Sequence, residues 1–485
     1  MKTRILLITP HYHARVLEAA GRWPHLGFLY IAGALTKAGY EVEVYDAMSV
    51  EHTIDQIRER IKKFAPAIVA STAYTCSYYA ALEVLKTAKE VNPAITTVLG
   101  GVHPTFCYED ALKQPGGIVD FVVRGEGEIT FVELAEALSH QAARSALAKV
   151  AGLAFLDEGN LVVTPVRPFI QNLDSLQPAW DLVKWDDYML HFLPGSKVAT
   201  ISSSRGCVHE CGFCSQQKFW CNTYRERSAE SFLGDIDYLY KKYGVNVFML
   251  SDEFPTNNRA RWEEILAGLI RRKYPIHLLI ETCVEAIVRD ADIMPKYREA
   301  GILHIYVGVE ATKQESLTLF KKDIKCEQSL EALRLINGAG MISECSFILG
   351  VPEETPASIK ETMELAMYYN PDYAHFLMLA PWPYADMYNG LKPYIEVHDL
   401  SKYNLITPII KPVAMTRDEL FQQVLNCYRQ FYMKKLPQWF AMTDNFRRDY
   451  LLRSMKAMLE RSFLKQHGHG LGKMPDQVAE YLKRI

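Results

Sequence analysis

Twice along the chain, short β-branched runs alternate with stretches of helix length and helix period, a pattern that admits few folds other than parallel α/β architectures. The first series has runs at 5–9, 41–46, 67–71, 96–100 and 121–124, with helical segments at 27–38, 53–64, 79–91 and 130–138. It predicts a doubly wound parallel sheet over residues 1–140. Ligands of such a sheet gather beyond the carboxyl ends of its strands. There lie Ser71-Thr72-Ala73, Gly100-Gly101-Val102-His103 and Gly125-Glu126-Gly127-Glu128.

Between 141 and 196 the periodicity breaks and Pro165, Pro168, Pro178 and Pro194 punctuate the chain, which reads as a linker with a small hairpin. A second series follows, with strands expected at 198–202, 245–251, 277–282, 304–308, 343–349 and 372–378. Helices are expected near 229–243, 259–272, 291–300, 328–339 and 358–369. Six strand–helix units over 197–380 predict a partial, open (β/α)6 barrel, whose chemistry belongs at the C-terminal strand ends. After Pro381 the alternation stops, and 381–485 reads as a mainly helical, aromatic-rich C-terminal cap.

With 485 residues, 49% of them hydrophobic, the chain can bury more than one core. A net charge of −3 leaves no basic footprint for nucleic acid. The apolar run at the N-terminus is too short for a signal peptide. No stretch approaches the roughly 18 uncharged apolar residues of a membrane span, so membrane contact is expected to be at most peripheral. Of ten cysteines only Cys207, Cys211 and Cys214 cluster, which fits a cytoplasmic protein rather than a disulfide scaffold.

Those three stand in Arg205-Gly206-Cys207-Val208-His209-Glu210-Cys211-Gly212-Phe213-Cys214, directly after the first strand expected of the barrel. Spaced this way on a loop, three thiolates can hold one face of a cubane iron–sulfur cluster and leave its fourth iron open to a small molecule. The alternative is a structural zinc ion closed by Cys221, for which the paired Cys-x-x-Cys knuckle is missing.

Cys-x3-Cys-x2-Cys at this place in a six-strand β/α series resembles the radical S-adenosylmethionine superfamily. The α/β domain in front resembles its cobalamin-binding class, whose N-terminal domain is Rossmann-like. Further likeness runs through Ala20-Gly21-Arg22-Trp23-Pro24, Cys214-Ser215-Gln216-Gln217-Lys218-Phe219-Trp220, Ala380-Pro381-Trp382-Pro383 and 401–412. These segments are similar to the anaerobic magnesium-protoporphyrin IX monomethyl ester cyclase family, up to about residue 435.

The resemblance implies three cofactors: a [4Fe-4S] cluster on Cys207, Cys211 and Cys214, S-adenosylmethionine on its open iron, and cobalamin. Phe213 matches the aromatic beside the adenine. Glu253, after the second strand, matches the acid that holds the methionine ammonium, which leaves Asp252 to cap the next helix. Glu310 matches the carboxylate near the ribose, and Gly350 the segment where backbone approaches the adenine. Ser71, Gly100, Gly101, His103, Gly125 and Glu126 match the loops that line cobalamin. The aromatics Trp382, Tyr384, Tyr388 and Tyr403 are candidates for an apolar wall against a flat substrate.

The implied activity is an oxygen-independent oxidative cyclisation in bacteriochlorophyll biosynthesis. It would act on an apolar tetrapyrrole ester, take its oxygen from water, and be fed by a flavodoxin- or ferredoxin-type electron donor. Cobalamin-dependent C-methylation with the same cofactors is an alternative, and a cobalamin- or redox-sensing protein is one of another class. One departure stands out. The chain has no Asp-x-His-x-x-Gly, so no lower ligand to cobalt can be assigned among His11, His13 and His103.

Overall fold

The computed structural model describes residues 2–12, 17–114, 116–140, 144–465, 467 and 480–481. The chain divides into two compact units, one of residues 1–13 and 24–187, the other of residues 14–23 and 188–485.

In the first unit, strands β1 (Arg4–Thr9), β2 (Glu41–Asp46), β3 (Ile68–Thr72), β4 (Thr96–Gly100) and β5 (Phe121–Val123) form the parallel sheet read from the sequence. They run in the order β2-β1-β3-β4-β5. Ile5, Leu7, Ile68, Val98 and Phe121 are buried in one core with Phe28, Leu35, Phe131 and Leu134 of the flanking helices. Near-continuous apolar strands are what a sheet covered on both faces requires.

The segment expected as a linker does more than connect. Its hairpin, β6 (Leu153–Asp157) and β7 (Asn160–Val163), extends the same sheet by antiparallel pairing of β6 with β5. Leu153, Ala154 and Phe155 are wholly buried, so β5 is covered rather than left as an open edge. The first unit therefore reaches Asp187, well past the boundary expected at 140.

The second unit is built on six parallel strands: β8 (Val198–Ile201), then, after a small antiparallel hairpin of β9 (Ser204–Gly206) and β10 (Tyr224–Glu226), β11 (Val247–Leu250), β12 (His277–Thr282), β13 (Ile302–Glu310), β14 (Ile342–Leu349) and β15 (Tyr373–Met378). Their order, β15-β14-β13-β12-β11-β8, places each beside its predecessor in the series and leaves the two end strands unpaired with one another. This is the open barrel predicted. Helices Ala229–Tyr243, Arg259–Arg272, Cys326–Gly338 and Pro356–Tyr369 match the expected helical segments closely. The hairpin β9–β10 was not foreseen, because three-residue strands carry almost no periodicity.

The C-terminal helices are present, as Arg417–Phe440 and Asn445–Arg461, but not as a separate cap. They belong to the same compact unit as the barrel. The reason lies in the open edge of β15, whose backbone groups need partners. Tyr428 Oη accepts from the Phe376 amide at 3.2 Å, and Tyr432 Oη donates to the Ala374 carbonyl at 3.1 Å. Among the described residues, no helix is long and apolar enough to cross a membrane.

Candidate active site

The cysteine loop hangs from the β9–β10 hairpin. Gly206 ends β9 with φ +99°, and a Cβ there would fall 2.0 Å from the Thr223 carbonyl oxygen, so only glycine can lead the chain into Cys207. Two backbone bonds clamp the loop's far side: Gly212 N donates to Phe320 O at 2.8 Å, and Met387 N to Gly212 O at 3.1 Å. Asp386 adds a tie through Lys218 at 2.6 Å.

All three cysteines are free; Cys214 feels the charge of Cys211 and Cys207, and Cys211 that of Cys207. Burial pushes the Cys214 thiol up to about 12. Cys207 is drawn down to about 6, first by a hydrogen bond from the Cys283 thiol. Among the described residues, only His209, Cys283 and Glu285 bring three metal-ligating atoms within 4.8 Å of one another. The three clustered cysteines are thus not drawn to a single point, as one zinc ion would demand. Cys221 is exposed, with its sulfur 3.7 Å from the Lys218 carbonyl. This donor set fits an iron–sulfur cluster and argues against the zinc alternative.

Acids converge on this loop from successive strand ends. Glu253, three residues beyond β11, accepts from the Trp220 indole at 2.8 Å and from Gly206 N at 3.2 Å, and burial raises its carboxyl to about 7. Glu310 ends β13 at φ +64°, after a register shift against β14. It lies 3.2 Å from Lys322 Nζ and accepts from Ser346 Oγ at 3.2 Å. A strained, bulged, non-glycine residue at a strand end is the kind of position that a site rather than the fold maintains.

Two members of this group escaped the sequence reading. Glu281, in β12, is exposed to solvent yet ringed by protein, and its carboxyl is raised to about 8 by burial and by Glu253 and Glu310. Glu281 stands at the carboxyl end of its strand, as Glu253 and Glu310 do of theirs. Lys322 left no such signal, standing in a polar run beside Lys321 and Asp323.

Other candidates have structural partners. Asp252 does not cap the next helix, where Asn258 does so; it accepts from Ser203 N and from the Ser203 and Ser204 hydroxyls. Phe213 sits edge-on to Phe320 and packs into an apolar cluster with Leu379, Leu391 and Ile410. Gly350 turns at φ +89°, and its amide donates to Glu354. Of the aromatics, Tyr403 is buried, with its hydroxyl on Val397 O, and Trp382 and Tyr388 pack into the same small core; Tyr384 is half-buried.

In the first unit, Gly125 borders open space at a strand end, whereas a Cβ on Gly100 would stand 3.7 Å from the Val123 carbonyl oxygen and one on Gly101 would meet Ala73 backbone at 2.7 Å. Ser71 Oγ donates to Ile8 O, and Glu126 accepts from Ile170 N at 2.7 Å. His103 is buried against Tyr78 and Thr75 Oγ1, and burial lowers its ring to about 4. His11 lines a cavity with His52 and Glu83, and His13 lies outside the described residues.

Residues 12–135 match the B12 binding domain family, and residues 201–366 match the radical SAM superfamily. The chain is 40% identical to the anaerobic magnesium-protoporphyrin IX monomethyl ester cyclase of Rubrivivax gelatinosus, over 95% of this chain and 83% of that one. It is also 40% identical to the enzyme of that name from Cereibacter sphaeroides, over 94% and 75% of the two chains. The chain belongs to this cyclase family. It is a cobalamin-dependent radical S-adenosylmethionine enzyme, with cobalamin, a [4Fe-4S] cluster and S-adenosylmethionine as its cofactors. Its fold is that of TsrM, a radical S-adenosylmethionine methyltransferase from Kitasatospora setae, at a TM-score of 0.70, 16% identity and coverage of 94% and 99%.

Proposed function

We propose that this enzyme closes the isocyclic ring of magnesium-protoporphyrin IX monomethyl ester without molecular oxygen and takes the new oxygen from water. The observation that carries the reading is 40% identity to two cyclases over nearly the whole chain. When bound, the cluster and S-adenosylmethionine supply one-electron chemistry able to take hydrogen from an unactivated carbon, and cobalamin supplies further electron exchange.

The chain's own residues hold and orient. Cys207, Cys211 and Cys214 would ligate the cluster. Glu253, kept in place by Trp220, would take the methionine ammonium, and Lys322 its carboxylate; Glu310, held by Ser346, would take the ribose hydroxyls. A charged partner for each ionic group is what a water-poor site needs. Phe213 and Gly350 would flank the adenine, and the strand-end loops at Gly100 and Gly125, the latter bordering open space, would admit cobalamin. Trp382, Tyr384 and Tyr388, all half-buried, would meet a planar tetrapyrrole, with the buried Tyr403 behind them. A flavodoxin- or ferredoxin-type protein would deliver the electrons.

The likeness of fold to a methyltransferase favours C-methylation as a second reading. Anaerobic reconstitution with magnesium-protoporphyrin IX monomethyl ester in oxygen-18 water separates the two. A cyclised product carrying heavy oxygen supports the cyclase, a product heavier by one methyl group supports the alternative, and unlabelled oxygen in a cyclised product removes water as its source.

A further inference from the structure

We infer that Tyr306, acting through Ser346, fixes the carboxylate of Glu310 so that it grips both hydroxyls of a ribose, and that the cofactor site thereby selects a ribonucleoside over its 2′-deoxy counterpart. The inference rests on the assignment of Glu310 to the ribose and names what aims that acid. Tyr306 Oη stands 2.5 Å from Ser346 Oγ, and Ser346 Oγ donates to Glu310 Oε2 at 3.2 Å. Lys322 Nζ holds the other oxygen, Oε1, at 3.2 Å. Ser346 is 1% exposed and Glu310 8%, so little water competes for these bonds.

The backbone brings the three side chains together. On the neighbouring parallel strands β13 and β14, Tyr306 is in register with Glu344 and Val307 with Cys345. Glu310 is next in register with Phe347, so Gly308 and Val309 oppose Ser346 alone. An extra residue of this kind bends a strand and re-aims the side chain that follows. Gly308 contributes in a second way. A Cβ there would fall 2.7 Å from Glu310 Oε1 and 2.7 Å from Lys322 Nζ, so the ion pair lies over a bare α-carbon.

The direction of the bonds follows from the donors at hand. A carboxylate facing an ammonium only accepts, so the single proton of Ser346 is committed to Glu310. Ser346 must then accept from the phenol, and Tyr306 is the donor that sets the rotation of the serine hydroxyl. Bonds aligned in one direction reinforce one another where water is scarce. A carboxylate has about four acceptor positions, and Lys322 and Ser346 take one on each oxygen. One on each oxygen is left, which is what two adjacent hydroxyls need. A nucleoside without the 2′-hydroxyl leaves one of them unpaired, and a site built for a hydroxyl discriminates against its absence. Tyr306 acts through Ser346 and Glu310, so it is a positioning residue.

The experiment uses the full chain, reconstituted anaerobically, with iron and cobalamin counted in every variant. Dissociation constants for S-adenosylmethionine and for its 2′-deoxyadenosyl analogue are measured by equilibrium dialysis. Wild type is expected to bind the ribose form more tightly. Equal affinities would overturn the assignment of Glu310 to the ribose, and the inference with it.

With that preference present, Tyr306→Phe keeps the ring and removes only the hydroxyl. It should weaken S-adenosylmethionine by about fivefold, the worth of one hydrogen bond, and weaken the analogue less, so that the preference shrinks while iron and cobalamin stay. Ser346→Ala should shrink it likewise. Adding Tyr306→Phe to Ser346→Ala should then change nothing further, because the link is already cut. A wild-type preference in Tyr306→Phe would overturn the inference, leaving Glu310 at the ribose. So would losses that multiply in the double variant, since they mark two independent structural effects. Should Tyr306→Phe lose iron, Ser346→Ala carries the test alone, and an unchanged preference in it overturns the inference.

Discussion

Lys322 Nζ lies 3.2 Å from Glu310 Oε1, with both side chains almost withdrawn from solvent. Burial opposes the charge on Lys322, but Glu310 together with the Cys211 and Cys283 sulfurs outweighs it and holds the ammonium above its ordinary range. Neither partner is tolerable alone, since an unpaired buried charge costs several kcal/mol. The strained backbone at Glu310 puts this pair in the barrel mouth rather than on the surface.

Glu310→Gln is therefore expected to weaken S-adenosylmethionine binding by at least about tenfold, ~1.4 kcal/mol, with iron content unchanged. Lys322→Met should do the same. Anaerobic equilibrium dialysis with labelled cofactor measures both, and wild-type affinity in either variant would take that residue out of the cofactor site.

The raised carboxyl of Glu253 carries a pH signature. An acid shifted up to about 7 is neutral below that pH and loses its hold on an ammonium group. Cofactor affinity should fall as pH drops from about 8 to about 6, approaching tenfold per unit on the acid side. Glu281, raised to about 8, adds a second and higher inflection. In Glu253→Gln the lower inflection should vanish while the upper one persists, moved down by the loss of Glu253's charge. Persistence of both would mean that Glu253 does not meet the ammonium.

Gly206→Ala is expected to destroy the cluster without disturbing the first unit, because its Cβ has no room against Thr223 O and its φ is left-handed. Iron should fall towards zero while bound cobalamin is retained. Loss of both together would indicate global misfolding instead.

Cys221→Ala, by contrast, should retain full iron and full cleavage of S-adenosylmethionine, since that thiol is exposed and reaches only a backbone carbonyl. Zinc in the wild type, lost in this variant, would restore the structural-metal reading.

What the sequence disclosed and what it hid follow one physical line. Strands such as 96–100 and 277–282 were legible because each carries its own apolar run between turn residues. The acids Glu253 and Glu310 were legible because strand order fixes which end of a barrel is chemical. Hidden from sequence were pairings made across space: β6 on β5, the Tyr428 and Tyr432 hydroxyls on the edge of β15, Lys322 on Glu310, and Cys283 behind Cys207. Each joins residues at least 12 positions apart with no shared periodicity. Composition alone likewise could not tell that Tyr403 turns its hydroxyl onto Val397 and packs with Trp382 and Tyr388 in a local core.

Deeper in the barrel, Glu344 of β14 is gripped by His304 of β13 at 2.8 Å and by His375 of β15, and His304 Nδ1 meets the Tyr450 hydroxyl at 2.9 Å. Three neighbouring strands and a C-terminal helix are thus tied through one carboxylate. Burial works against its charge, but His304 and His375 together prevail and hold it well below the usual carboxylate range. An acid depressed in the folded state contributes stability that is fully present above its unfolded value, about 4.3, and is lost as pH falls through the lowered folded value. Glu344→Gln should therefore cost most near neutral pH, ~3 kcal/mol for a broken buried pair, and progressively less as the medium is acidified below about pH 4. Urea unfolding of the apoprotein, followed by tryptophan fluorescence over a pH series, gives the difference between wild type and variant directly. A gap that stays constant from neutral to acid would show that Glu344 contributes shape rather than charge. A gap that narrows would make the carboxylate the electrostatic link between barrel and C-terminal helix.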